Sequence, residues 1–278
     1  MSRIALHRFP ALPATVSELI RLCPEDPSYY ERVLALCRAD PGLASELIRL
    51  AHSVSIGTSQ RVDSVRQALL LVGPRPAVNH LIGGALLKVF VPHARVVKRL
   101  WERNAWVASA ASYLASNIVT GRLDSQVAHA VAALHDIGQL AMACVDQDAM
   151  ASILAESRGD PVHQLELERA HFGETHTELG ARLSAAWAFP LVFRFVIRKH
   201  HDEEIEGPDQ IAPYARVVAL ADALYDYDEE DPSTAEAVVA RAKHAGLPVR
   251  RSDIELLRSR VSRGAHADVY RLGLRPVA

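Results

Sequence analysis

The sequence predicts an all-α protein: an N-terminal helical subdomain packed on a larger helical core, with a short helical tail. Two observations carry this. Apolar residues recur at helical and not alternating spacing, as in Val33, Leu34, Leu36 and Cys37 and again in Leu43, Leu47, Ile48, Leu50 and Ala51. Helix punctuation brackets such runs at short intervals, so the helices are short and frequent.

In chain order, Asp40-Pro41 supplies a cap and first-turn residue for a helix over Gly42 to His52. Ser64 starts the apolar run Val65 to Val72, which Gly73-Pro74 stops. Gly83-Gly84 lies in a helix and suits close packing against a neighbour; it is no phosphate loop, since GxxxxGK[ST] and a preceding strand are both missing. A boundary is expected at Val91-Pro92-His93, after which Arg95 to Val119 reads as one long helix. The acidic run Asp226 to Pro232 marks a second boundary, so the expected division is 1–93, 94–230 and 231–278. Trp101, Trp106 and Trp187 are expected to anchor the core between helical layers.

The chain has 278 residues and a formal net charge of -2, so no global field recruits nucleic acid or an acidic membrane surface. The arginines Arg250, Arg251, Arg258, Arg260, Arg263 and Arg271 are interrupted by Asp253, Glu255 and Asp268 and read as a solvated helix face. Cys23, Cys37 and Cys144 lie far apart, without CxxC spacing, and read as free thiols in a reducing cytoplasm. Met1 to Pro13 lacks a secretory signal, and the apolar stretches near Ala77 to Leu87 and Ser125 to Leu134 are read as too short to span a bilayer. A cytoplasmic location without membrane or nucleic-acid partners is the expectation.

The tetrad Leu134-His135-Asp136-Ile137, followed by Gly138, concentrates the chemistry. Adjacent helical residues point about 100° apart, so His135 and Asp136 reach one ion only near a helix end or a bent turn, where Gly138 makes room. Imidazole with carboxylate suits zinc, manganese or iron better than calcium. His176, His200, His201 and Asp222 follow in order, and Asp136 can bridge two ions, the arrangement that activates water against a phosphate. Simpler roles stand beside these. His176 can cap a helix, His200-His201 can sit at the C-terminal end of a helix dipole, and Asp222 can pair with His135.

With these residues in place, the chain resembles the HD superfamily of metal-dependent phosphohydrolases, and within it the HDOD branch, an output domain of bacterial signalling proteins. Outside the ligand-type residues the resemblance rests on Leu12-Pro13, Asp40-Pro41-Gly42-Leu43, Leu50-Ala51-His52-Ser53, Gln67-Ala68 with Gly73, and Trp101. It continues through Phe172-Gly173, Gly180, Trp187 and Pro190, covering roughly Leu12 to Tyr225. It implies an HD-like helical core with metal ligands at His135, Asp136, His176, His200, His201 and Asp222.

The resemblance also locates departures. Asn104 is read as standing where the family has its first histidine ligand, which weakens the site, and Gln139 replaces a lysine that often follows the pair. No Gly-Tyr-Pro signature follows His200-His201, so cyclic-di-GMP hydrolysis is not implied. The expectation is a regulatory module without catalysis that docks to other signalling proteins or to itself. Any manganese, iron or zinc would be partial and not required for folding. The competing expectation is a phosphohydrolase acting on a nucleotide or other phosphoester, with Arg198 or Lys199 holding a phosphate oxygen.

Overall fold

A computed structural model of the chain describes residues 3–54, 62–90, 95–117, 123–247, 249–260 and 262. The described residues are mostly α-helical and contain no strand, as the helical periodicity requires. The chain divides into two compact units.

The smaller unit comprises residues 10–89 and 187–190. Its helices are α1 (Ala14–Arg21), α2 (Tyr29–Ala39), α3 (Pro41–Val54), α4 (Val65–Val72) and α5 (Pro74–Val89). The local signals act as expected. Asp40 accepts from the backbone N–H of Gly42 at 2.8 Å and of Leu43 at 3.2 Å, and also from the Thr15 hydroxyl at 2.6 Å. Ser64 caps α4 through the Gln67 N–H at 3.2 Å, and Gly73 turns the chain into α5 at φ +84, where a side chain would be strained. Val33, Leu34, Cys37, Leu47, Ala51, Leu69 and Leu86 form its core. Burial, then the Asp40 carboxylate, pushes the Cys37 thiol up to about 11, so this cysteine is a small core residue and not a nucleophile.

The larger unit comprises residues 1–9, 90–186 and 191–278. Its spine is α6 (Arg95–Asn117), against which α7 (Ser125–Ala133), α8 (Ile137–Val145), α9 (Gln147–Ser157) and α13 (Ala212–Tyr225) all pack. Every residue from Asn104 to Ala111 is buried, because α6 is surrounded rather than half-exposed. Alanines at 105, 108, 110 and 111 let α7, with Ala128 and Ala132, approach closely. α10 (Pro161–Phe172) packs on α9, while α11 (His176–Ala186) lies against α8 and α12 (Leu191–Lys199). The N-terminal strand of chain is held here too: Ile4 donates its N–H to Glu174 at 2.9 Å, and Arg182 bonds both Glu174 and the Ile4 carbonyl.

α14 (Pro232–His244), read from sequence as part of a separate tail, packs on α13 within this same unit. Trp101 and Trp106 are buried here; the Trp101 indole donates to the Phe90 carbonyl at 3.1 Å. Trp187 is likewise buried, in the smaller unit. The expected boundary at Val91-Pro92-His93, the end of the long helix at Val119, and Arg263 and Arg271 lie outside the described residues. One expectation needs correction. The 21-residue stretch Ser125–Val145 is long and apolar enough by composition to cross a membrane; 72% of its 18-residue apolar window is buried inside the fold, and it breaks at His135-Asp136.

Candidate metal centre

The centre forms where α7 stops and α8 begins. The helical ladder ends at Ala133, three residues turn, and α8 restarts at Ile137, so His135 and Asp136 sit in a corner and not on a continuous helix. This corner is pressed against the start of α11 because Gly138 has no side chain. An added Cβ there would lie 1.9 Å from the His176 carbonyl oxygen. Gly180 repeats the device one turn along α11, where a Cβ would lie 2.7 Å from the Ile197 side chain. Two glycines thus bring His176 to Asp136.

His135, Asp136, His176 and His200 are each at most 1% exposed, and Asp222 is 5% exposed. The ligand-type atoms form two groups that share Asp136, each group spanning no more than 4.8 Å. One group is Asp136, His176, His200 and His201; the other is His135, Asp136 and Asp222. In the first, Nε2 of His176 and Nε2 of His200 both lie 3.3 Å from Asp136 Oδ1. All three of those atoms lack a hydrogen-bond partner despite complete burial.

The Nδ1 atoms of the histidines are fixed as donors. His135 Nδ1 meets the Ala132 carbonyl at 2.6 Å, and His200 Nδ1 meets the Val196 and Ile197 carbonyls at 3.1 and 3.2 Å. A carbonyl only accepts, so Nδ1 carries the proton; in the neutral ring Nε2 of His200 presents its lone pair, whereas Nε2 of His135, 3.3 Å from oxygens of both Asp136 and Asp222, is placed to donate. His176 Nδ1 donates to the Glu168 carboxylate at 2.7 Å, and Glu168 also accepts the His176 backbone N–H and the Gln164 amide. A buried carboxylate behind a histidine is the usual support of a metal-ligating imidazole.

Charge reinforces this. Burial opposes ionisation of Asp136, but His135, then the imidazoles of His200 and His176, hold its carboxyl well below the usual range. Burial lowers His200 and His201 below the ordinary imidazole value, and neighbouring imidazoles add to the effect at His201. Burial opposes protonation of His135 and His176, yet Asp136 and Glu168, respectively, raise them. Asp136 also stands at the N-cap of α8 without accepting any backbone N–H. Asp124, Asp146, Asp160 and Asp231, at the N-caps of α7, α9, α10 and α14, all do accept one. Both Asp136 oxygens are left to the centre.

The residue from α6 that bonds the cluster is Arg103, the neighbour of Asn104. Arg103 donates to Asp222 Oδ1 at 2.7 Å and grips Asp226 with two bonds at 2.5 and 2.7 Å. Its Nε lies 3.7 Å from Asp136 Oδ2. Asn104, about 100° further round the helix, is buried with both amide atoms unpartnered and bonds none of the cluster. The α6 side chain that bonds the carboxylates is thus Arg103, next to the Asn104 that the sequence pointed to. Asp222 does meet His135 at 3.3 Å, and with Arg103 beside it lies well below the usual carboxylate range despite burial.

Arg198 and Lys199 lie outside the cluster. With Arg169, Thr175, Thr177 and His201 they line an open cavity of about 360 Å³, where Glu166, Glu178 and Asp202 offset their charge. Lys199 is paired to Asp202 at 2.5 Å. Sequence reasoning missed Arg103, Glu168, Asp226 and Arg241. The last, on α14, donates to the carbonyl oxygens of His201, at 3.0 Å, and of Asp202, fixing the chain just beyond α12. Of these, only Asp226, four residues after Asp222, carried a spacing signal.

A sequence model of the HDOD domain matches residues 9–203. An uncharacterised protein of Treponema pallidum is 24% identical over 229 residues, which are 80% of this chain and 43% of that protein. The chain thus spans less than half the length of the curated relative it matches. Among solved structures, a Marinobacter aquaeolei protein assigned to signal transduction shares 22% identity at TM-score 0.77, covering 99% of this chain and 61% of its own. A Shewanella amazonensis protein assigned as a phosphohydrolase shares 21% identity at TM-score 0.69, covering 96% of this chain and 95% of its own. At these identities the likeness shows the fold.

Proposed function

The chain belongs to the HDOD domain family, and from that premise we propose that it is a cytoplasmic regulatory module that acts by binding other signalling proteins, or a second copy of itself, and hydrolyses no phosphoester. The observation that supports this reading is Arg103. Two-ion hydrolysis needs two cations about 3.5–4 Å apart on shared carboxylates. Here a guanidinium, which stays charged at every accessible pH, bonds Asp222 and faces Asp136. Breaking a buried ion pair by removing one partner costs about 3–5 kcal/mol, so an incoming ion does not displace it readily. A resident ion would supply Lewis acidity and a rigid cross-link; the residues available to hold it are Asp136, His176, His200 and His201. The test is a phosphoester screen covering monoesters, diesters and nucleotides with manganese, iron and zinc. No turnover is expected, and metal-dependent turnover that survives repurification would refute the reading.

A second reading, a metal-dependent phosphohydrolase, draws on the cavity beside His201. Arg198 and Arg169 would there hold a phosphate next to the four-residue group. Turnover that is present in the wild type and lost in Arg198→Ala would favour it.

A further inference from the structure

We infer that the centre takes a single divalent transition-metal ion, on Asp136, His176, His200 and His201, and that Arg103 is a built-in second cation that closes the other half. This goes beyond the regulatory reading, because it concerns what the centre holds and not whether it turns anything over. The two halves differ in one decisive respect. On the His135 side, Asp222 Oδ1 already accepts from Arg103 at 2.7 Å, and His135 Nε2 reaches that same oxygen at 3.3 Å. A cation of the protein's own already stands on this side, although Arg103 Nε and Asp136 Oδ2, 3.7 Å apart, make no hydrogen bond. On the other side, Asp136 Oδ1, His176 Nε2 and His200 Nε2 are fully buried and bonded to nothing. Leaving three such atoms unsatisfied is costly, and convergence on one point is the arrangement that a cation satisfies at once.

Distance agrees. Zinc holds nitrogen and oxygen ligands at ~2.0–2.1 Å, which makes the edge of its tetrahedron about 3.4 Å. The Asp136 to His176 and Asp136 to His200 separations are both 3.3 Å. Ligand chemistry agrees as well, since three imidazoles with one carboxylate suit zinc, manganese or iron, and Glu168 orients His176 from behind. Arg103 already supplies one positive charge to the three carboxylates that face it, Asp136, Asp222 and Asp226.

The experiment is metal stoichiometry. Protein purified without an affinity tag is loaded with excess Zn²⁺ or Mn²⁺, desalted, and measured by elemental mass spectrometry. One ion per chain is expected for the wild type and for His135→Ala, close to none for His200→Ala, and two for Arg103→His. Two ions in the wild type, or none, overturns the inference. So does a His135→Ala protein that loses its ion while His200→Ala keeps it. Should an alanine variant fail to fold, His200→Gln and the metal-induced rise in thermal midpoint give the same discrimination. That rise is expected in the wild type and absent from His200→Gln; an equal rise in both counts against the assignment. One ion with phosphoester turnover would sink the regulatory reading alone; two ions or none, without turnover, would sink this inference alone.

Discussion

Replacing Gly138 with alanine tests whether the α8–α11 seam builds the centre. The new Cβ would stand 1.9 Å from the His176 carbonyl oxygen, 2.7 Å from its carbon and 2.9 Å from its Cα. Close carbon–oxygen contacts settle near ~3.3 Å, so the two helices must part by roughly 1.4 Å along that line. Every opposing atom is backbone, and no side chain can swing away. Overpacking of this kind costs about 1–3 kcal/mol, against a helix-propensity gain of up to about 1 kcal/mol. A net loss of about 1–2 kcal/mol is expected in urea titrations, together with at least a roughly tenfold loss of metal affinity, because ligand distances tolerate only about 0.2 Å. Gly84→Ala is the control. Its Cβ would meet the Glu46 carboxylate at 3.6–3.9 Å, an ordinary contact, so its stability should be unchanged or slightly raised. A Gly138→Ala protein as stable as the wild type, with its metal affinity intact, would refute the reasoning.

Three further outcomes follow from the hydrogen bonds. Asp40→Ala removes the cap of α3 and the Thr15 contact and should cost about 1–2 kcal/mol by chemical denaturation. The Thr15 hydroxyl, and then the amides of Leu43 and Gly42, hold the Asp40 carboxyl below its ordinary value against burial. Its contribution is therefore fully present above the unfolded value of ~3.9 and fades as pH falls through the lower folded value. The wild-type to Asp40→Ala gap should close below that range; a gap that persists at low pH contradicts the assignment. Glu168→Gln leaves His176 without its carboxylate and should weaken metal binding by about 10–100-fold in chelator competition, while unchanged affinity would show that the support is dispensable. Arg241→Met frees the His201 and Asp202 carbonyls and should lower metal affinity without touching a ligand; a wild-type value would argue against the clamp.

Local signals were legible in the sequence and tertiary closures were not. Asp40, Ser64 and Gly73 act within a few residues of themselves, so their roles are readable from order alone. The ligand-type residues were readable because His135-Asp136, His176, His200-His201 and Asp222 recur as an ordered set. Arg103 was missed because helix neighbours differ by about 100° in direction, and spacing from Trp101 did not fix which neighbour reaches the carboxylates. Glu168 reaches His176 across the end of α10 and a turn, and Arg241 reaches His201 across 40 residues. Neither distance leaves a periodic trace. Asp226 was read as the start of an acidic boundary, whereas it closes α13 with its carboxylate on Arg103.

The uncapped start of α8 has a meaning for evolution. Four aspartates in this unit follow the local rule and one breaks it, and the exception forgoes a contribution of about 1 kcal/mol that the same side chain gives elsewhere. Local preference and global role therefore conflict at one residue, the kind of conflict that natural sequences confine to working sites. That the Asp136 carboxylate accepts no backbone N–H of its own helix indicates a sequence optimised for something other than its own persistence.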